Sequence, residues 1–244
     1  LLNYKKRIMA VSVDRVYQTV LALANKEQRG YITPQEFNLF ANHAQNEIFE
    51  QYFYDLNQFL RSQVGNKTVS SDLRDITEEK ISIFRIVNSQ IGTSLPSDLY
   101  KLETIKLHAG GYSGNSYVAE EVTKKEYEMY EMTALTRPPI NRPIFYRSGN
   151  SIYSSPQVGS NQTYSAMTAD YIRRPNRANW TYVTVQGAAI WNPTVDTQNF
   201  QLHDSEEKNL VVKILALSGL AIKDMDLAQT GAGKEAFYIQ QEKS

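Results

Sequence analysis

The segment YITPQEFNLFANHAQNEIFEQYFYDLNQF, residues 31–59, constrains the fold more than any other. Five of the chain's nine phenylalanines fall on what reads as one helix. Thr33 has the form of an N-cap, Pro34 suits the first helical position, and Glu36 closes a capping box with Thr33. The helix is expected to run from Pro34 to about Gln63, where Gly65-Asn66 stop it. Phe37, Phe40, Ala41, Ala44 and Ile48 make one apolar stripe. Phe49, Tyr52, Phe53, Leu56, Phe59 and Leu60 then widen it past the single face of an ordinary amphipathic helix. Such a helix needs cover on more than one side. It is either the centre of a private core or a helix that shares a face with a partner chain.

An earlier helix is expected over residues 12–25, where Val13, Val16, Tyr17, Val20, Leu21, Leu23 and Ala24 recur mostly at three- and four-residue spacing. A late one is expected after Asp204 or Ser205 as cap, with Glu206 and Glu207 in its first turn. Leu210, Val211, Ile214, Leu215 and Leu217 form its apolar face and Gly219 ends it. Residues 66–80 are polar and read as a loop or linker. ISIFRIVN, DLYKLETIKLH and YVAEEV read as strand material, the last followed by a short helix. IFYRSGNSIYSSP has two β-type runs around Ser148-Gly149-Asn150, a hairpin signal. YSAMTADYIRRP and NWTYVTV are further strand candidates.

This pattern predicts an α+β chain in which N- and C-terminal helices form a bundle and a β-rich middle is inserted. The expected boundaries are an extension at 1–10, where Met9-Ala10 has the form of a natural start, and a helical part at 11–94. The β-rich middle covers 95–200, C-terminal helices complete the bundle at 201–230, and a mobile tail occupies 231–244.

Chemistry is scarce. Twenty-six basic residues balance twenty-six acidic ones, so no global charge draws the chain to nucleic acid or acidic lipid. The absence of cysteine removes disulfides, thiolate metal sites and cysteine nucleophiles. No apolar run approaches the ~20 residues of a membrane-spanning helix. TGAGKE at 230–235 falls short of a phosphate loop, because Ala228 stands where a glycine is needed and Glu235 where Ser or Thr is needed. Asp224 and Asp226 begin like a calcium loop that Ala228 breaks. His43, His108 and His203 lie far apart, with no paired-ligand spacing. Neither Glu120-Glu121 nor Glu206-Glu207 suggests acid–base work. No catalytic residue, cofactor or metal is expected.

YIRRPNRANWTY is the strongest ligand candidate. Arg173, Arg174 and Arg177 among Tyr171, Trp180 and Tyr182 suit a nucleic-acid-binding module that contacts phosphates and stacks bases. The alternative is an exposed strand end whose arginines meet a neighbouring subunit's carboxylates. The run NWTYVTVQGAAIWNP would also suit a glycan-binding tail component.

Three stretches carry a family resemblance. The aromatic helix 31–59, the β-rich run from RPIFYRSGNSIYSSP to YIRRPNRANWTY, and FQLHDSEEKNLVVKILALSGLAIKDMDLAQ resemble head-to-tail adaptor (ring or neck) proteins of short-tailed bacteriophages, crAss-like and related phages. The resemblance covers most of residues 11–230. It implies a non-enzymatic virion protein, made in the bacterial host cytoplasm, with about a dozen copies closing a ring by heterologous contacts. Its implied partners are the portal protein, a tail or nozzle protein below, and double-stranded DNA that passes through the lumen without sequence recognition. No membrane is involved. Phe49, Tyr52, Phe53 and Phe59, with Phe237 and Tyr238 in the tail, are then the expected subunit or portal contacts. Arg173, Arg174 and Arg177 are the expected DNA or inter-subunit contacts. A net charge of zero suits a conduit that must release DNA, since each neutralised phosphate strengthens binding.

Overall fold

The structure, a computed structural model, describes residues 10–26, 32–62, 69–159 and 164–221. Its elements in chain order are α1 (Val13–Lys26), α2 (Pro34–Ser62), α3 (Val69–Ser82), β1 (Arg85–Ile91), β2 (Leu99–Ala109), β3 (Asn115–Glu121) and α4 (Lys124–Glu131). After these come β4 (Ile144–Ser148), β5 (Ser151–Ser155), β6 (Ala166–Arg173), β7 (Tyr182–Val185), β8 (Ala188–Trp191), a 3-10 turn at Asp204–Glu206 and α5 (Glu207–Ala221). They form two compact units. The helical unit combines residues 1–83 with 175–244, and the sheet unit is 84–174.

The expected bundle of terminal helices around a β insertion is overturned. The chain is mixed α/β, with a six-stranded sheet in its middle stretch and five α-helices among the described residues. The reason lies in what covers α2. On one side Phe37 meets Tyr17 of α1 edge-on at 4.7 Å. Beside it, however, α2 presents Asn38, Asn42 and Gln45 to extended chain rather than to another helix. Asn38 Nδ2 donates to the Trp180 carbonyl at 3.1 Å, and the Trp180 amide donates back to Asn38 Oδ1 at 2.8 Å. Asn42 Nδ2 donates to the Ala178 carbonyl at 2.9 Å. Gln45 donates to the Asn176 carbonyl at 2.7 Å and accepts from the Gln201 amide at 3.0 Å. The amide side chains, Gln45 buried and Asn38 and Asn42 half-buried, thus satisfy a strip of non-helical backbone. That strip delivers Ala178, Trp180, Phe200 and Leu202 into the core of the helical unit.

Two local expectations also change. Residues 69–80 of the expected polar linker, with Ile81 and Ser82 of the expected strand ISIFRIVN, form α3. Its Lys80 ammonium pairs with Glu206 at 2.7 Å and lies 5.6 Å from the centre of the Tyr52 ring on α2. Gly219 does not end α5, which continues to Ala221. A glycine inside a helix costs about 1 kcal/mol, too little to stop one whose Leu210, Val211 and Ile214 are buried. The expected capping box is present. Thr33 donates its N–H and O–H to Glu36 at 2.9 and 2.7 Å, and the Glu36 amide donates to Thr33 Oγ1 at 3.3 Å. The N-cap of the C-terminal turn is His203, one residue ahead of the expected Asp204 or Ser205.

In the sheet unit the strand order is β1-β6-β2-β3-β4-β5, antiparallel except for the short parallel pair β3–β4. The outer edge of β5 is not left open. Chain just past β1 bonds to it, the Ile152 amide to the Thr93 carbonyl at 2.7 Å and the Leu95 amide to the Asn150 carbonyl at 2.8 Å. This cover removes a template for edge-to-edge pairing. One face of the sheet carries Ile91, Ile105, Leu107, Met167, Ala169 and Tyr171 into a single core with Phe145, Ile152 and Tyr164.

The other face holds a polar knot at an irregularity in β1, where Asn88 takes a φ of +53°. Asp170 accepts from the Asn88 amide at 2.6 Å and from Lys106 Nζ at 2.8 Å, while Lys106 also donates to Asn88 Oδ1 at 2.9 Å. Burial pushes the Asp170 carboxyl up. The Lys106 and Asn88 hydrogen bonds, with the Lys106 and Arg85 charges, outweigh it and hold the group below its ordinary value. A carboxyl depressed by folding contributes stability above its unfolded pKa of about 4, and this is lost as pH falls through the folded value. Asp170→Asn is therefore expected to flatten the acid limb of the stability curve below about pH 4. Denaturant melts of both proteins across that range test this; parallel acid limbs would remove Asp170 as a contributor.

Candidate interaction surfaces

The structure sends the expected contact residues in different directions. Phe49 is 2% exposed and Tyr52 is buried, so both lie inside the chain's own fold. Phe53 is half-buried and meets Phe49 edge-on at 5.1 Å. Tyr54 and Leu39, rather than Phe37, Phe40, Phe49 or Phe53, are the exposed large apolar residues among the described side chains of α2. A charged substitution at Phe49 would accordingly report on stability before it reported on assembly. The Phe59 side chain, Phe237 and Tyr238 lie outside the described residues. So do the TGAGKE motif and Asp224 and Asp226.

Arg173 and Arg174 close the sheet unit, their amides bonded to the Phe84 and Asp98 carbonyls at 3.0 and 2.7 Å, whereas Arg177 belongs to the helical unit. Arg174 and Arg177 are exposed. Arg173 is half-buried, and its Nε is shielded with no hydrogen-bond partner. Of the aromatic residues among them, Tyr171 and Trp180 are buried, and Tyr182 stacks on Trp180 at 5.7 Å. Two of the three rings that base stacking would need are therefore core residues.

The histidines stay apart. His43 is exposed on α2, His203 caps the C-terminal turn, and buried His108 shares a 2.9 Å hydrogen bond with Thr168 through Nε2 while its Nδ1 is unpartnered. Glu120 and Glu121 face Arg142 and Arg147 at 3.7 and 3.0 Å. Glu206 and Glu207 pair with Lys80 and Arg15 at 2.7 and 2.9 Å. Among the described residues no three acidic or histidine side chains gather as metal ligands, and no helix is long and apolar enough to cross a membrane.

What the surface does carry is apolar. In the sheet unit, α4 has a complete capping box, with the Thr123 amide and hydroxyl donating to Glu126 at 2.8 and 2.7 Å and the Glu126 amide donating back. Tyr127 pins the helix to the sheet, its hydroxyl donating to the Ser154 carbonyl at 3.1 Å and its ring meeting Tyr146 at 4.7 Å. A bond between Ser155 and Glu131 fixes the far end. So anchored, α4 nevertheless buries none of its residues. Met129, Tyr130, Met132, Leu135 and Ile140 stand on this helix and the loop after it, Met132 81% and Leu135 96% exposed. Five large apolar side chains exposed within twelve residues of chain are a denser concentration than the single scattered exposures normal on a surface.

In the helical unit, β7 and β8 make a two-stranded ribbon that pairs with no other strand among the described residues. Gln186 and Gly187, both at positive φ (50° and 81°), form the tight turn whose twist suits a hairpin. The base is fixed. Thr181 Oγ1 donates to the Asn192 carbonyl at 2.7 Å, the Asn192 amide donates to the Thr181 carbonyl at 3.1 Å, and Thr181 also bonds Thr197. Beyond that base Val183, Val185, Ile190 and Trp191 are open to solvent, and Val195 next to it is fully exposed.

The sequence reading missed the α4 surface, and it singled out the hairpin run, residues 179–193, only as a glycan-binding candidate. Periodicity marks apolar residues but not which of them the fold leaves bare, and the aromatic load of α2 drew attention to side chains that the chain covers itself. No protein-family model matches the chain, and no curated protein matches it.

Proposed function

We propose that the chain is a structural virion protein, a head-to-tail adaptor whose copies, a dodecamer, close a ring between portal and tail around the DNA channel. It acts at the neck of the virion, after synthesis in the bacterial cytoplasm, and performs no catalysis. The observation that carries this reading is the pair of unlike apolar surfaces, one on each unit. A two-fold dimer needs one self-complementary patch, whereas a ring needs two different patches that meet between successive copies. The resemblance of residues 11–230 to phage adaptors gives the ring its place. A nucleic-acid-binding role for residues 171–182 is less favoured, because Tyr171 and Trp180 lie in the core.

Particle mass by mass photometry tests the proposal. The chain alone is expected to be a monomer, and on mixing with the portal ring of the phage that encodes it, about a dozen copies are expected to add. Met132→Asp with Leu135→Asp alters only exposed side chains, so the variant should keep its circular dichroism and melting behaviour. It should lose portal-templated assembly. A wild-type chain that adds no copies to the portal at any salt concentration would overturn the reading.

A further inference from the structure

We infer that the β7–β8 hairpin of one copy docks on the methionine-rich α4 patch of a second copy, the next in the ring. The inference rests on the adaptor reading and specifies its subunit contact.

The hairpin is supported at its base but not along its length. A two-stranded ribbon is marginal in water unless something packs on it, and this one leaves apolar residues open along both strands. Natural edge strands are usually guarded by charge, proline or a bulge. Here residues 178–195 hold no charged side chain, and the only proline is Pro193, past the ladder. A segment without such guards is suited to being covered by a surface that is itself apolar and uncharged.

The loop after α4 comes nearest to this. Residues 132–136, MTALT, are uncharged and lie between Glu131 and Arg137, which pair with each other at 3.3 Å, and Met129 and Met132 supply flexible, polarisable side chains that adapt to a docked shape. The rims also match in sign. Asp196, exposed beside Val195, makes no ion pair among the described residues. Arg142, two residues beyond exposed Ile140, reaches only Glu120 among the described residues, at 3.7 Å, and its side chain is 81% exposed. Seating the hairpin on the patch brings an unpaired carboxylate towards an under-used guanidinium. A contact between two different surfaces repeats from copy to copy, as ring closure requires.

The lack of cysteine makes the test clean, since any introduced thiol is unique. Val185→Cys and Leu135→Cys are made as separate proteins, both at exposed positions. Each is treated with a short bismaleimide alone and as an equal mixture, at high concentration in sulfate and on the portal ring. Val118→Cys, exposed elsewhere on the sheet unit, replaces Leu135→Cys as the collision control. The expected result is a covalent dimer in the Val185→Cys and Leu135→Cys mixture, absent from either protein alone and from the control mixture. Adding Asp196→Arg to the hairpin protein should cut that dimer roughly fivefold, and Arg142→Asp in its partner should restore it.

Dimers from Val185→Cys alone would mean that hairpins pair with each other, overturning the inference. Rings detected by mass without the mixed cross-link would overturn it too, while leaving the adaptor reading intact. No assembly and no cross-link, with or without portal, would remove both.

Discussion

Trp180→Ala is expected to destabilise the helical unit by about 3–5 kcal/mol, the range for truncating a large buried aromatic. Trp180 is 1% exposed and ties three segments together. Its ring lies 4.1 Å from that of Tyr17 on α1, its Nε1 donates to Asp14 Oδ1 at 2.9 Å, and its backbone exchanges two bonds with Asn38 on α2. Alanine would keep the backbone bonds but leave a cavity and an Asp14 carboxylate without its donor. Trp180→Phe, which fills most of the space, should cost about 1–3 kcal/mol, chiefly for the lost hydrogen bond. Trp191→Ala, on the exposed hairpin, should stay within about 0.5 kcal/mol of wild type. Urea unfolding followed by circular dichroism separates the three. Equal losses for the Trp180 and Trp191 truncations would show that the described core is wrong.

The second large effect concerns Lys80 and Glu206. The Glu206 side chain is 3% exposed and is held by Lys80 at 2.7 Å and by Asn209 Nδ2 at 2.8 Å. Lys80→Ala would leave a buried carboxylate with its charge uncompensated, a change that typically costs 3–5 kcal/mol. Replacing both partners, Lys80→Met with Glu206→Leu, should cost less than Lys80→Ala alone, because apolar pairs often substitute for buried ion pairs without loss. The coupling from a double-mutant cycle with the matching single variants should fall between about 0.5 and 3 kcal/mol. A cycle that closes to zero would make the pair an incidental contact. It would also leave α3 without the tie that fastens it to the start of α5.

These two sites show what could be read from the residues and what could not. Thr33, Pro34 and Glu36 announce α2 because capping chemistry is local, and the β4–β5 hairpin is visible through Ser148-Gly149-Asn150 for the same reason. α3 was invisible because its sequence, VSSDLRDITEEKIS, has no continuous apolar stripe. Its fixed contact, Lys80 with Glu206, is a pairing between residues remote in the chain. The bundle expectation failed at Asn38, Asn42 and Gln45, whose types suggest a solvated face but whose partners are carbonyls of residues 176–180 and an amide at 201. The width of the α2 stripe correctly signalled cover on more than one side. It did not reveal that the chain's own extended strip and α3 share that cover with α1 and α5. Exposure on α4 was unreadable in principle, since a short capped helix with Met and Tyr looks the same whether or not anything covers it.

The split of the helical unit across the two ends of the chain has a consequence for synthesis. The sheet unit is continuous, so all of it has been made once Arg174 is added. The helical unit is not. Tyr17, Phe37 and Ile48 are made early, yet Trp180, Phe200 and Leu210, which complete their core, come last. At elongation rates of roughly 5–20 residues per second this delay is on the order of ten seconds, during which the aromatic helix α2 waits uncovered on the ribosome. Growing chains on neighbouring ribosomes would be most prone to stick at that stage, when a chaperone would find α2 bare. A circular permutant that begins at Pro175 and joins the old ends would make the two halves of this unit consecutive and remove the wait.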